Sequence, residues 1–174
     1  MARLSQDDLR NLDDFATTFR WNLSIVKLPS GISTDTSSAD LNLRCETSEI
    51  PKLTLNSIET RIRGHKVKSP GVADYAGALT FTFVETENNK IHNFIKAWRE
   101  LVWETQSGKT LPKSELEATL RLARLDSQDN EIYEYVLVGC YYEDADFGSL
   151  DNEGGDFMKP SLTVSYDYFK DKSV

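Results

Sequence analysis

Hydrophobic and polar positions alternate strictly from Phe19 to Val26. Phe19, Trp21, Leu23 and Ile25 fall on one side, and Arg20, Asn22, Ser24 and Val26 on the other, which predicts a half-buried strand. Pro29-Ser30-Gly31 ends it. Residues 33–40 read as a Ser/Thr/Asp/Ala loop, and alternation resumes at Leu41, Leu43 and Cys45 until Pro51 breaks it. Ahead of the first strand, Ser5 is placed to cap a short helix over about residues 6–18. Asp7 and Asp8 sit at the positive end of its dipole, and Leu9, Leu12, Phe15 and Ala16 mark one face.

Residues 52–75 combine Leu53, Leu55, Ile58 and Ile62 with the bases Arg61, Arg63, Lys66 and Lys68. Gly64 and Ser69-Pro70-Gly71 punctuate them, so a long hairpin arm is predicted, turning at one of these points. Leu79-Thr80-Phe81-Thr82-Phe83 is a strand with Thr opposite its buried face. A helix is predicted from about Asn88 to Gln106, because Ile91, Phe94, Ile95, Trp98, Leu101 and Val102 recur at helical spacing. Leu116, Ala118, Leu120 and Leu122 alternate like a strand, although Leu and Ala also allow a helix. Ile132–Val138 is a further strand, and Glu143 to Asp156 reads as an acidic loop. Leu162 to Phe169 closes the chain as one alternating strand. The sum is a mainly β, single domain over residues 1–174: a β-sandwich or open barrel with one packed helix and a short N-terminal helix.

Charge changes this picture more than composition does. Residues 126–174 hold twelve Asp/Glu against three Lys, a net −9, leaving residues 1–125 at +1 within an overall −8. Such a balance argues against tight duplex binding, which phosphate attraction dominates, and favours association with a basic surface. The apolar runs are far short of a membrane span, and no secretory signal is read at the N-terminus. Two cysteines, Cys45 and Cys140, are too few for a disulfide framework, and both are expected as packed or inert thiols.

Candidate chemistry dissolves on inspection. Ser107-Gly108-Lys109-Thr110 ends like a phosphate loop, but Trp103 stands where its first glycine belongs, and the segment follows a helix instead of opening one. Asp144, Asp146, Gly148 and Asp151 suggest a calcium loop, yet glycine falls one position early and Gly155 stands where the closing Glu is needed. His65 and His92 have no partner at zinc-ligand spacing. The expectation is no catalytic residue, no metal site and no cofactor.

One charge relationship is constructive. The basic group Arg61, Arg63, Lys66 and Lys68 is matched by Glu143, Asp144, Asp146, Asp151, Glu153 and Asp156. Either these are two unrelated solvated segments, or the arm of one copy meets the acidic loop of the next. Heterologous contacts of the second kind build rings or filaments.

Phe19-Arg20-Trp21-Asn22-Leu23, Cys45 through Ile50-Pro51, Gly64 in the arm, and Leu79 to Glu85 before the Ile91–Trp98 helix follow one another in a familiar order. Val138-Gly139-Cys140-Tyr141-Tyr142 and Thr163 to Tyr168 complete it. In that order of elements the chain resembles the tail-tube proteins of contractile-tailed bacteriophages. It departs at Cys140-Tyr141-Tyr142, where many relatives carry an aromatic-Pro pair, and in its longer acidic loop.

The resemblance implies a structural virion protein forming hexameric rings, with sheets from six subunits joined in one inner β-barrel. Rings stack into a tail tube, a conduit for DNA ejection without specific DNA binding. The implied partners are further copies of the chain, the tail sheath protein, baseplate and tail-terminator proteins and a tape-measure protein, with assembly in the host cytoplasm and no membrane. The helix is then expected outside the barrel, and Thr80, Thr82, Glu117, Thr119 and Arg121, which alternate with core positions, are the candidates for the lumen. A tube protein of a contractile injection or type VI secretion system, or a tube-like baseplate adaptor, shares this architecture. From another class, a monomeric carbohydrate- or peptide-binding β-sandwich would present an aromatic platform, such as Tyr141, Tyr142 and Phe147.

Overall fold

The computed structural model describes residues 15–32, 34–75 and 77–174, together with Gln6 and Arg10. The elements are β1 (Trp21–Lys27), α1 (Ser38–Arg44), β2 (Cys45–Ser48), β3 (Leu53–Ile62), β4 (His65–Tyr75) and β5 (Ala78–Phe83). They continue with α2 (Lys90–Val102), α3 (Lys113–Leu116), β6 (Ala118–Leu125), β7 (Glu131–Asp146), β8 (Ser161–Ser165) and β9 (Tyr168–Ser173). Among the described residues seven strands form one antiparallel sheet in the order β1-β6-β7-β8-β5-β2, with β9 also paired to β7, while β3 and β4 pair only with each other. The fold is mainly β, as the alternation predicts.

β7 is the spine. Its first half lies between β6 and β9, and its second half pairs with β8. β8 and β9 run along β7 as one ribbon, with an interruption at Tyr166-Asp167 facing Gly139-Cys140. This corrects the single strand expected over Leu162–Phe169. Leu162, Val164 and Tyr166 point inward, and the phase then slips by one, so that Phe169 rather than Tyr168 packs against Tyr75, Tyr135 and Tyr166.

The core lies between this bent sheet and α2. Ile91, Phe94, Ile95 and Trp98 meet Leu79, Phe81 and Phe83 of β5, Leu120 and Leu122 of β6, Leu137 and Cys140 of β7, and Leu162 and Val164 of β8. Each fully buried large side chain stabilises by about 1.5–3 kcal/mol relative to its exposed state. The indole N–H of Trp98 donates to the Leu116 carbonyl at 3.1 Å, so the largest core residue keeps its polar atom satisfied. At the N-terminus of α2, Asn89 is left-handed and caps nothing with its side chain. The Glu85 carboxylate replaces it, accepting from the Ile91 and His92 amides at 3.3 and 2.7 Å. The helix ends at Val102, four residues short of the expected Gln106.

Two expectations fail near the N-terminus. Leu41 and Leu43 lie in α1, with Leu41 buried and Leu43 exposed, and strand begins only at Cys45. The cause is a capping box. Ser37 Oγ accepts from the Asp40 amide at 3.1 Å, and Asp40 Oδ2 accepts from the Ser37 amide at 3.2 Å. Phe19 is 71% exposed and precedes β1, so only Trp21, Leu23 and Ile25 of its set turn toward the core. Of the helix predicted over about 6–18, residues 7–9 and 11–14 lie outside the described residues. Gln6 and Arg10 are helical, whereas Phe15 to Arg20 are not.

Candidate assembly surfaces

The arm is the first surface. β3 and β4 meet at Arg63-Gly64, both with positive φ (49° and 83°), the geometry of a tight hairpin turn matched to strand twist. Between the Leu55–Ala73 and Ser57–Pro70 pairs the register shifts, with Asn56 facing Gly71 and Val72. Gly71 is needed there, because a Cβ would lie 2.7 Å from the Asn56 carbonyl oxygen.

The bulge shifts the phase of β4, while β3 keeps its alternation. Near the root, Leu53, Leu55 and Tyr75 share a face. Toward the tip that face becomes Glu59, Arg61, Lys66 and Lys68, while Ile58, Ile62 and Val67 lie opposite. Glu59 pairs with Lys66 at 2.6 Å and with Lys68 at 3.4 Å. Arg61 and Arg63 form no ion pair among the described residues.

The acidic segment divides in two. β7 extends to Asp146, so Glu143, Asp144 and Asp146 stand in a strand, which corrects the loop expected from Glu143. A register shift at Glu143 keeps the alternation beyond it in phase. Tyr142 and Ala145 pair with the inward Val164 and Leu162, while Asp144 and Asp146 pair with the outward Thr163 and Ser161. Asp151, Glu153 and Asp156 remain in the loop, beside exposed Leu150, Phe157 and Met158. The loop is anchored at Phe147, whose ring lies 4.2 Å from that of His92 on α2.

The third surface is the sheet face turned away from the core. Thr80 and Thr82 lie on it in β5, and Thr80 Oγ1 hydrogen-bonds Thr163 Oγ1 across the strands at 3.1 Å. Asp144, Asp146, Ser161 and Ser165 share this half, giving a floor of small hydroxyls with two carboxylates. On the other half, Thr119 and Arg121 of β6 occupy the same face. Arg121 is committed rather than free: Nε donates to Glu134 at 2.5 Å, while Nη1 and Nη2 donate to the Glu131 carboxylate at 2.8 and 2.5 Å. Lys172 of β9 reaches Glu134 from the other side at 3.2 Å. The hydrogen bonds from Arg121 hold both carboxyls below their ordinary value, with Lys172 adding to the effect at Glu134. Glu117 lies before β6 and pairs with Lys27 at 3.4 Å.

Among the described residues no three His, Cys, Asp or Glu side chains converge as a metal site. Ser107-Gly108-Lys109-Thr110 forms the turn after α2, with the Gly108 amide donating to the Glu104 carbonyl at 2.8 Å, and helix resumes only at Lys113. Cys45 and Cys140 are free thiols, each pushed up to about 12 by burial. Tyr141, Tyr142 and Phe147 do not make an exposed platform. All three are half-buried, Tyr142 and Phe147 pack against the core, and Lys113 lies over the Tyr141 ring.

The surfaces that sequence reasoning missed are the apolar face of the arm tip and the Arg121–Glu134–Lys172 cluster. The first is legible in β3, where Leu53 and Leu55 fall on one face of the alternation and Ile58 and Ile62 on the other, and only its β4 half depends on the bulge at Gly71-Val72; the second comes from cross-strand register.

The family model described as "Phage tail tube protein" matches residues 13–171. No curated protein matches the chain. Among solved structures, the anti-feeding prophage tube-terminating cap is similar with a TM-score of 0.69 at 11% identity, covering 94% of each chain. A chain of the PVC sheath-tube complex, an extracellular contractile injection system in its extended state, gives 0.65 at 11% identity over 99% of this chain and 100% of that one. A chain of the anti-feeding prophage baseplate gives 0.64 at 12% identity, over 92% and 97%. At such identities the likeness is one of fold.

Proposed function

The chain belongs to the phage tail tube protein family, and from that premise we propose that it is the inner-tube subunit of a contractile particle. Six copies close a ring, their sheets join into one inner β-barrel, and rings stack head-to-tail into a conduit within a sheath. The observation that carries this reading is the combination of an unpaired sheet edge at β2 with a free arm. Among the described residues β2 ends the sheet with no strand beyond it, β9 pairs only with β7 and the exposed two-stranded arm pairs with nothing else. The β1 edge, in contrast, is partly covered by α1, whose Asn42 and Ser38 side chains accept from the Leu23 and Ile25 amides at 2.7 and 2.9 Å. Open edges are an aggregation hazard in a monomer, and lateral closure of a ring removes them.

In this arrangement the outward sheet face, with Thr80, Thr82, Thr119 and Arg121, lines the lumen, and Glu117 lies at its margin. Asp144 and Asp146 stand on the same face. Hydroxyls and carboxylates offer passing DNA no phosphate attraction, and Arg121 is already neutralised by Glu131 and Glu134. The basic arm residues Arg61, Arg63, Lys66 and Lys68 meet Asp151, Glu153 and Asp156 of a copy in the next ring. Glu143 lies at the strand bulge beside that contact. Sheath, baseplate, tail-terminator and tape-measure proteins are the partners of such a tube, which assembles in the host cytoplasm and is carried in the virion. An injection particle built on the same subunit would carry protein in place of DNA, and its likeness in fold to PVC and anti-feeding prophage chains favours keeping that reading beside the first.

Negative-stain microscopy of the purified protein at low and high salt, alone and with tail baseplates added, tests the proposal. Rings or tubes with a central hole support it. A monomer that neither stacks alone nor extends from baseplates overturns it. Nucleic acid or protein recovered from filled particles separates the two cargoes.

A further inference from the structure

We infer that the arm holds its neighbour by an apolar contact as well as by charge: Ile58, Ile62 and Val67 at the arm tip dock on Leu150, Phe157 and Met158 in the loop of a second copy. The inference rests on the tube reading above and names the contact that joins one copy to the next. An isolated two-stranded hairpin is marginal in water, and this one, about 30 Å long, is extended without support from the sheet. Its tip nevertheless carries three aliphatic side chains on one face, with Ile58 and Ile62 exposed at 58% and 59%.

The loop shows the converse pattern. Leu150 and Phe157 are 89% and 80% exposed although Phe147 anchors the segment on α2. No hydrogen bond or ion pair joins arm and loop within the chain among the described residues, and an internal contact would have buried both sets. Charge selects between copies: Glu59 to Lys68 sums to +3, and the loop acids Asp151, Glu153 and Asp156 sum to −3. Two arms would repel each other, as would two loops, whereas arm on loop attracts at every step of a stack. The arrangement is heterologous, so it does not end at a pair of copies and can continue from ring to ring.

Two chains with one added cysteine each, Ile62→Cys and a tagged Phe157→Cys, are mixed, assembled and oxidised, with the wild-type chain as background for Cys45 and Cys140. A mixed disulfide dimer on a non-reducing gel is expected in stacked particles and not after dilution to monomer. Stacks that form without the mixed dimer overturn this contact and leave the tube reading intact. Absence of stacks from the wild-type chain, with baseplates supplied, overturns both. As a second readout, the exposed pair Ile58→Ser/Ile62→Ser is expected to raise the protein concentration needed for stacking about tenfold or more at low and high salt alike. An unchanged concentration in both salts counts against the apolar contact, and circular dichroism checks that the variant remains folded.

Discussion

Asp167 fills the space that a side chain at Gly139 would need. A Cβ at Gly139 would run into the Asp167 carboxyl group, which Lys113 also holds, and the Asp167 amide donates to the Val138 carbonyl at 3.0 Å. Gly139 is left-handed, at φ 73°, at the register shift in the β6 pairing and where the other edge of β7 passes from β9 to β8. Gly139→Ala therefore meets both backbone strain and a steric clash, and is expected to lower unfolding free energy by about 1–3 kcal/mol in urea titration. Removing the obstacle with Asp167→Ala should recover part of that loss. Full additivity of the two substitutions would mean that the close approach contributes nothing.

The Arg121 cluster predicts a pH signature. Glu131 and Glu134 have carboxyl groups held below their ordinary 4.5 by Arg121. A depressed folded-state pKa contributes stability that is fully present above the ordinary value and is lost as pH falls through the depressed one. Arg121→Met should thus lower the melting midpoint at pH 7, and its deficit relative to wild type should shrink on acidification below about pH 4.5. A deficit that stays constant with pH would assign the effect to packing of the arginine stem.

Much of the β architecture was legible because inward residues in β1, β5 and β6 alternate without interruption. Helix α2 was legible because Ile91, Phe94, Ile95 and Trp98 hold one stripe. The misreadings have local causes. In residues 38–45 two leucines and a cysteine mimic alternation, while the decisive signal is the short Ser37–Asp40 capping box. At Glu143 an extra residue shifts the register, so a strand carrying three acids looks like a loop. Phe19 shows that alternation outlasts the strand that would justify it. The arm's length and basic character were visible, and the change of face from Leu53 and Leu55 to Ile58 and Ile62 lay in the spacing of β3, but the phase of β4 against it depends on the bulge at Gly71-Val72, which only the pairing reveals.

Glu85 supplies the cap that Asn89, in its left-handed conformation, does not. It takes hydrogen bonds from Thr86, Ile91 and His92, at 2.9, 3.3 and 2.7 Å. Glu85→Ala leaves first-turn amides of α2 without this acceptor and is expected to cost about 1 kcal/mol, with Glu85→Gln intermediate. Thermal denaturation of the three proteins gives the order, and an alanine variant as stable as wild type would show that water replaces the carboxylate at no cost.

Cys45 and Cys140 should be silent toward alkylation in the folded protein. Burial raises both thiols to about 12, so little thiolate exists at neutral pH, and Cys140 is also shielded by the core. Mass spectrometry after iodoacetamide treatment at pH 7.5 is expected to show no label on Cys140 and slow label on the half-buried Cys45. Both should react fully in urea. Rapid native labelling of Cys140 would mean that β7 opens near Gly139 on the labelling timescale.

The turn at Arg63-Gly64 separates monomer stability from assembly. Both residues have positive φ, which glycine adopts freely and a β-branched residue does not. Arg63→Asn keeps the turn while removing one charge, whereas Gly64→Val strains it at the far end of an arm that touches the core at its root, through Tyr75. Neither variant should shift the melting midpoint of the monomer appreciably, since Tyr75, the arm residue packed against the core, lies at the root, far from the turn. They should differ in assembly: Arg63→Asn stacks with weaker salt dependence, because one paired charge is gone, and Gly64→Val fails to stack at concentrations where wild type does. The two expectations isolate arm geometry from arm charge. If Gly64→Val stacks as well as wild type, the shape of the arm tip has no part in joining the rings.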